Sequence, residues 1–214
     1  MSEAHAGSGA NPSAPAKSGW YRFARGLAKV LMHTVMPTRI RGAERMRGDA
    51  PFILIANHNS MLDPFILACP IQKYEVVFLG KKELVKSRLG RWLFGKLHMI
   101  SVDRGHSDME AMRACMRTLR GGGVLGIFPE GTRHHEGTME HIESGVSLIA
   151  LRSGAPVIPV YIKGRLALFH YTQAWVGDPI PTDDLRAEGV NSETSERLNE
   201  RIRERYREFV KEHG

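Results

Sequence analysis

From Trp20 to Val35 the apolar positions recur at helical spacing. At 100° per residue Trp20, Phe23, Leu27, Val30, Leu31 and Val35 share one face of a helix, and Arg22, Arg25, Lys29 and His33 share the opposite one. Further along, apolar runs alternate with helical periods. Phe52–Ala56 predicts a buried strand, Val76–Leu79 a second, Leu84–Gly95 a helix and Met99–Val102 a short strand. Asp63 before Pro64 predicts an N-cap and first position of a helix running through Phe65 to Ala68. Ser107 to Glu110 has the form of a capping box, opening a helix with Met109, Met112, Met116 and Leu119 inward and closed by Gly121 to Gly123. Val124–Phe128 predicts a strand, Ile142–Arg152 a helix ended by Gly154, and Val157–Ile162 another strand. A last helix, Ser192 to Lys211, has Leu198, Ile202, Tyr206, Phe209 and Val210 at helical spacing. Around Arg39 to Arg47 the sequence predicts only a basic turn. Strands alternating with helices at these intervals predict an α/β fold, a central sheet flanked by helices.

The composition of the 214 residues, 42% apolar and 25% charged, leaves room for a core and excludes wholesale disorder. The charge-free run from Ala50 to Leu62 has 13 residues, short of the roughly 20 of a spanning helix. With only Cys69 and Cys115, a disulfide framework and a Cys-rich zinc module are excluded. A reducing cytosol is the expected compartment, and no signal-peptide pattern is visible. Residues 1–18, rich in Ser, Ala, Gly and Pro, read as a flexible arm, 19–37 as an amphipathic surface helix and 38–214 as the main domain.

Charge sharpens the reading of the helix. Residues 1–50 carry eight basic and three acidic side chains, residues 51–177 fifteen and ten, and residues 178–214 seven and ten, within a net charge of +7. A basic front and an acidic tail indicate an oriented molecule facing something anionic. A helix with aromatic and aliphatic residues on one side and cations on the other is the pattern of the lipid interface, although docking on its own domain would need the same stripe. A second basic stretch favours lipid: Lys81, Lys82, Lys86, Arg88, Arg91 and Lys96 interleave with Leu84, Leu89, Trp92, Leu93 and Phe94. The expected membrane-surface residues are Trp20, Arg22, Phe23, Arg25, Leu27 and Lys29, with Lys81, Lys82, Lys86, Arg88, Arg91 and Trp92. The chain reads as a peripheral protein on the cytoplasmic side of the cell membrane.

Four short motifs follow or occupy predicted strands. In Asn57-His58-Asn59-Ser60-Met61-Leu62-Asp63 a histidine at a strand end meets an acid five residues later. Across one turn the carboxylate reaches an imidazole nitrogen, fixing the tautomer and leaving the other nitrogen as a general base. Read alone, the same spacing also suits an Asp that caps a helix beside a loop histidine. In Phe128-Pro129-Glu130-Gly131-Thr132-Arg133 an arginine in a glycine turn suits an anionic oxygen. Val102-Asp103-Arg104-Gly105 places another arginine at a strand end, and Pro159 interrupts an apolar strand, the mark of an edge or a bulge.

Taken together and in this order, NHNSMLD (57–63), GKKEL (80–84), SVDRG (101–105), FPEGTR (128–133) and GAPVIPVYI (154–162) resemble the glycerolipid acyltransferases typified by 1-acylglycerol-3-phosphate acyltransferase. The resemblance covers about residues 50 to 165. It implies a central mixed β-sheet flanked by helices, with an N-terminal amphipathic helix, and acyl transfer from a thioester to a glycerol hydroxyl. His58 would be the base and Asp63 its orienting acid. Arg104 and Arg133 would hold the acceptor phosphate, with Glu130, Gly131 and Thr132 shaping that site and Pro159 near the acyl donor. The implied partners are a lysophospholipid acceptor, an acyl-CoA or acyl carrier protein donor and an anionic membrane surface. No cofactor beyond that cosubstrate and no metal are expected. His134 and His135 stand where many relatives carry Ser-Arg, which leaves glycerol 3-phosphate or another lysolipid as alternative acceptors.

Other classes fit less well. Gly90 to Lys96 has P-loop spacing, but Leu97 occupies the Ser/Thr position. His134, His135 and His141 lack a zinc-binding spacing, Met139 standing where the second histidine would be. No G-x-S-x-G is present, which excludes the usual serine hydrolase. No nucleic-acid recognition module is recognisable, so no nucleic-acid partner is expected. The non-enzymatic alternative is an idle membrane-surface binding protein.

Overall fold

The computed structural model describes residues 19–81, 99–102, 109–131 and 139–214. In chain order these form α1 (Gly19–Thr34), β1 (Thr38–Arg41), a 3-10 turn (Ala43–Arg47), β2 (Phe52–Ala56), α2 (Asp63–Ala68), β3 (Val76–Lys81), β4 (Ile100–Val102) and α3 (Met109–Arg120). β5 (Val124–Ile127), α4 (Ser144–Ser153), β6 (Val157–Lys163), β7 (Thr172–Val176), α5 (Asp183–Ala187) and α6 (Ser192–His213) follow. The strands make one sheet in the order β1-β7-β6-β2-β5-β3-β4. β2 runs parallel to both β5 and β6, β3 parallel to β5 and β4, while β7 is antiparallel to β6 and β1 parallel to β7. The sheet is mixed, as the resemblance implied.

β2 lies near the middle and every one of its residues is buried, which its uninterrupted apolar sequence requires. Because side chains alternate across a strand, Phe52, Leu54 and Ala56 join Tyr21, Met32, Ile66 and Leu67 under α1 and α2. Ile53 and Ile55 join Leu119, Val146, Leu151, Leu198, Ile202 and Tyr206 under α3, α4 and α6. Burying such aliphatic side chains contributes about 1.5–3 kcal/mol each. This helix–sheet–helix sandwich sets the C-terminal ends of β2, β5 and β6 along one edge, where residues 57–63, 128–131 and 164–171 emerge.

Several details differ from the sequence reading. The basic turn at Arg39 to Arg47 contains an edge strand: Thr38 and Ile40 turn half inward, Arg39 and Arg41 outward. Cations on an outer strand discourage further pairing. α3 buries Ala111, Cys115 and Leu119, with Met112 against the core and Met109 exposed, because its small residues allow close approach to the sheet. Pro159 lies in an interior strand, at a bulge. From Val157 to Val160 there are three steps on β6, and from Val176 to Ile180 four on its partner, so the proline's missing N–H falls where the ladder is interrupted. The Ser107–Glu110 box begins, and the Leu84–Gly95 helix lies, outside the described residues.

α1 is docked on the domain through a face the wheel did not single out. Tyr21, Ala28 and Met32 are buried, and the Tyr21 hydroxyl accepts the Val76 N–H at 2.9 Å. Burial pushes that phenol up to about 12. Arg25 donates to the Ile71 carbonyl at 2.6 Å, and Leu31 and Val35 pack inward. Trp20 is half-buried, while Phe23 is 60% exposed, Leu27 50% and Val30 58%. Arg22, Lys29 and His33 are exposed beside them. Among the described residues no helix is long and apolar enough to cross a membrane.

Candidate active site

The site is built where β2 ends. Beyond Ala56 the strand's backbone leaves the sheet, and the Asn57 side chain continues the ladder in its place. Asn57 Oδ1 accepts the Ile162 N–H at 2.7 Å, and its Nδ2 donates to the Ile162 carbonyl at 2.9 Å. Asn59 Nδ2 donates to the carbonyls of Ile162 and Gly164, both at 3.0 Å, and Ser60 Oγ donates to Leu166 O at 2.7 Å. Three side chains thus bind the loop to the end of β6. Each amide replaces backbone pairing that would otherwise leave buried polar groups unsatisfied.

Asp63 closes the loop. One oxygen, Oδ2, accepts from three donors: the Asn59 N–H at 2.6 Å, the Ser60 N–H at 2.7 Å and His58 Nδ1 at 3.0 Å. The carboxylate is fully buried, while the imidazole keeps 18% of its surface. Asp63 is therefore not the N-cap its spacing with Pro64 predicts. It opens α2 itself and turns its side chain back into the preceding loop, with Pro64 in the first turn. A carboxylate only accepts, so Nδ1 carries the proton and Nε2 the lone pair. That is the tautomer of a general base, held by a buried, hydrogen-bonded acid.

Phe128 sets the plane of the imidazole, stacking on His58 with centroids 4.2 Å apart and planes at 28°. Phe78 stacks behind Phe128 at 6.4 Å. Phe78 in turn lies across Gly126, where any Cβ would overlap its ring. On the other side of the sheet Tyr206 of α6 donates to Ile55 O at 2.8 Å and Val160 O at 3.1 Å, pinning β2 and β6 just short of the loop. Its phenol, fully enclosed, is held well above its ordinary range.

The turn after β5 brings Glu130 and Gly131 to the same edge, both buried. Gly131 donates its N–H to Phe128 O at 3.1 Å and has φ 68°, a left-handed conformation that favours glycine. Pro159 pairs in register with Ile55 and lies between Val157 and Tyr161, which face the α3–α6 cluster, whereas Phe128 packs against the α1–α2 cluster. The proline thus supports β2 from behind rather than touching the imidazole stack. Arg104, Thr132 and Arg133 lie outside the described residues, as do Lys82, Lys86, Arg88, Arg91 and Trp92. Lys81 ends β3. Sequence reasoning did not single out Asn57, Asn59, Ser60, Phe128, Phe78 or Tyr206. Two asparagines flanking a histidine at a strand end were the available signal.

Comparisons with known proteins find acyltransferases. The 1-acyl-sn-glycerol-3-phosphate acyltransferase of Bacillus subtilis is 26% identical over 144 residues, 67% of this chain and 71% of that protein. The alpha form of the enzyme of that name from Homo sapiens is 28% identical over 170 residues, 71% of this chain but 57% of that protein. In three dimensions the chain is similar to the 1-acyl-sn-glycerophosphate acyltransferase PlsC from Thermotoga maritima, with a TM-score of 0.65 and 24% identity, covering 90% of this chain and 79% of that one. The family model described as Acyltransferase matches residues 37–163, from the turn before β1 to the end of β6, so that the His58–Asp63 loop and the β5 turn both fall inside it, and the chain belongs to the acyltransferase family.

Proposed function

We propose that the chain transfers a fatty acyl group from acyl-CoA or acyl carrier protein to the free hydroxyl of 1-acylglycerol 3-phosphate, giving phosphatidic acid. The observation that carries the reading is the His58–Asp63 pair, with Nδ1 on a carboxylate oxygen that two backbone amides also hold. The names of the relatives support the acceptor.

In this reading Nε2 of His58 takes the hydroxyl proton as the oxygen attacks the thioester carbonyl. The new C–O bond gives a tetrahedral oxyanion. Its collapse breaks the C–S bond, and the thiolate leaves and takes the proton back from the imidazolium. Asp63 stabilises that imidazolium throughout. The leaving thiolate is a weak base, so the step needs no strong acid. Arg104 and Arg133 neutralise the acceptor phosphate, Glu130, Gly131 and Thr132 shape its site, and Pro159 supports the base from behind β2 rather than meeting the donor. The enzyme works as a peripheral protein on the cytoplasmic face of the cell membrane. Trp20, Phe23 and Leu27 of α1 meet the lipid there, with Arg22, Lys29 and the cations of residues 81–96 on its headgroups.

The test is thiol release from oleoyl-CoA with detergent-dispersed lysophosphatidic acid, comparing the native protein with His58→Ala. Acceptor-dependent release with phosphatidic acid formed, and lost in the variant, is the expected result. Equal release by both proteins eliminates His58 as the base. No release with acyl-CoA or with acyl carrier protein donors, across a panel of lysolipids and glycerol 3-phosphate, eliminates the catalytic reading.

A further inference from the structure

The connection between β6 and β7, residues 164–171, carries an apolar tip that the fold itself does not use. Leu168 is 58% exposed, Phe169 81% and Tyr171 56%. The tip is a tight turn in which His170 donates its N–H to Ala167 O at 3.2 Å and the third residue, Phe169, has φ 60°. Turns with a positive φ there normally take glycine, and a bulky residue in that conformation is strained. The backbone favours glycine at this position and none of the described residues buries the ring, so the aromatic suits a contact beyond them.

Three observations identify that partner. First, the tip is anchored to the site. Ser60 Oγ holds Leu166 O and Asn59 Nδ2 holds Gly164 O, so the loop carrying His58 and the loop carrying Phe169 share their hydrogen bonds. Second, the tip meets the end of α1, where the Phe169 N–H binds Val35 O at 2.6 Å and the Thr172 N–H binds Pro37 O at 2.9 Å. The outward apolar side of that helix, Val30, Leu27 and Phe23, begins a turn away. Third, exposed cations lie on the same two elements: Arg165 on the loop and Lys29 on α1. An apolar tip on a loop and helix that also carry exposed cations suits an anionic bilayer, with acyl chains below and phosphates above.

We propose that residues 164–171 form a lipid-inserting loop, Leu168, Phe169 and Tyr171 entering the acyl layer of an anionic membrane and holding the mouth of the His58 site at the depth of the headgroups. The inference deepens the proposed function and rests on its lipid acceptor. A base tied to an inserted loop meets a lysolipid hydroxyl where that hydroxyl resides, without extracting the acceptor into water.

Cosedimentation of the full chain with phosphatidylcholine vesicles, with and without phosphatidylglycerol, tests it. Phe169→Gly removes the ring and suits the turn, so its thermal midpoint should equal or exceed the native one. Its vesicle partition should fall about tenfold, the size expected for withdrawing one large aromatic from an apolar phase. In Phe169→Trp, lipids brominated on the acyl chain should quench emission beyond the native tryptophan background. Unchanged partition of Phe169→Gly, or an unquenched Phe169→Trp, overturns the inference while acyl transfer stands on the His58→Ala comparison. Binding to acyl carrier protein lost in Phe169→Gly, with vesicle binding intact, overturns it in favour of a protein partner. A native chain that ignores vesicles overturns both the inserted loop and the peripheral membrane reading.

Discussion

The ring of Phe128 lies against the imidazole of His58, 4.2 Å between centroids, so the residue that opens the β5 turn sets the plane of a histidine in the loop after β2. The stack and the Asp63 bond fix the imidazole about different axes. Phe128→Leu keeps apolar volume but removes the flat support. It should lower kcat by about tenfold to a hundredfold, the cost of a small misplacement of a reacting group, with KM little changed. Steady-state kinetics with the acceptor varied checks this. An unchanged kcat shows that the Asp63 bond alone suffices.

Asp63→Asn should be worse, lowering kcat by about three to four orders of magnitude, because an amide no longer selects the Nδ1–H tautomer. The same change weakens the oxygen that holds two backbone amides. The thermal midpoint should therefore fall too, and circular dichroism melting separates the two effects. A catalytic loss without a thermal one would show that those amides find other acceptors.

Asn57→Ala leaves the Ile162 N–H without its side-chain partner in a buried place, and its carbonyl with Asn59 Nδ2 alone. A destabilisation of about 1–3 kcal/mol is expected from urea unfolding. Activity should fall with it, since the same loop carries His58.

Gly126→Ala forces a methyl into the ring of Phe78 and, through it, onto Phe128. Overpacking of this kind costs about 1–3 kcal/mol. Phe78→Leu in the same chain should relieve part of the loss, and a double-mutant cycle measures the coupling. Strict additivity would show that the ring moves aside freely.

On α6 the arginines Arg203 and Arg207 hold Glu200 below the usual carboxylate range, Arg203 does the same for Glu196, and Arg201 for Asp184. Carboxylates depressed in the folded state contribute stability that is complete above their unfolded values, near pH 4, and is lost as pH falls through the folded ones. Thermal midpoints should therefore drop on acidification below about pH 4. Because these groups lie at the surface, added salt at neutral pH should reduce their contribution as well.

The buried half of this architecture was legible because it is written in uninterrupted apolar runs. Phe52–Ala56 could only be an interior strand, and it is. β1 and β7 were not, since Thr38–Arg41 alternates cations with half-buried residues and Thr172–Val176 mixes polar and apolar positions. The outer side of α1 was readable from periodicity. Its docking side was not, because Tyr21, Ala28 and Met32 act through shape and one phenol hydrogen bond. In the site, His58 and Asp63 stand five residues apart and their meeting follows from local geometry. Asn57, Phe128 and Tyr206 act on groups far away in sequence, and only the sheet order brings them there.

That separation has a consequence for biosynthesis. Asn57 waits for Ile162, 105 residues later, and Ile55 waits for Tyr206, 151 residues later. At roughly 5–20 residues per second the ribosome takes about 8 to 30 seconds to deliver the last of these partners. Through that interval the histidine and its acid have been made but not every group that steadies them. The protein thus acquires the His58–Asp63 pair early and its supports late, and a nascent chain stalled before β6 carries that pair on an unsecured loop.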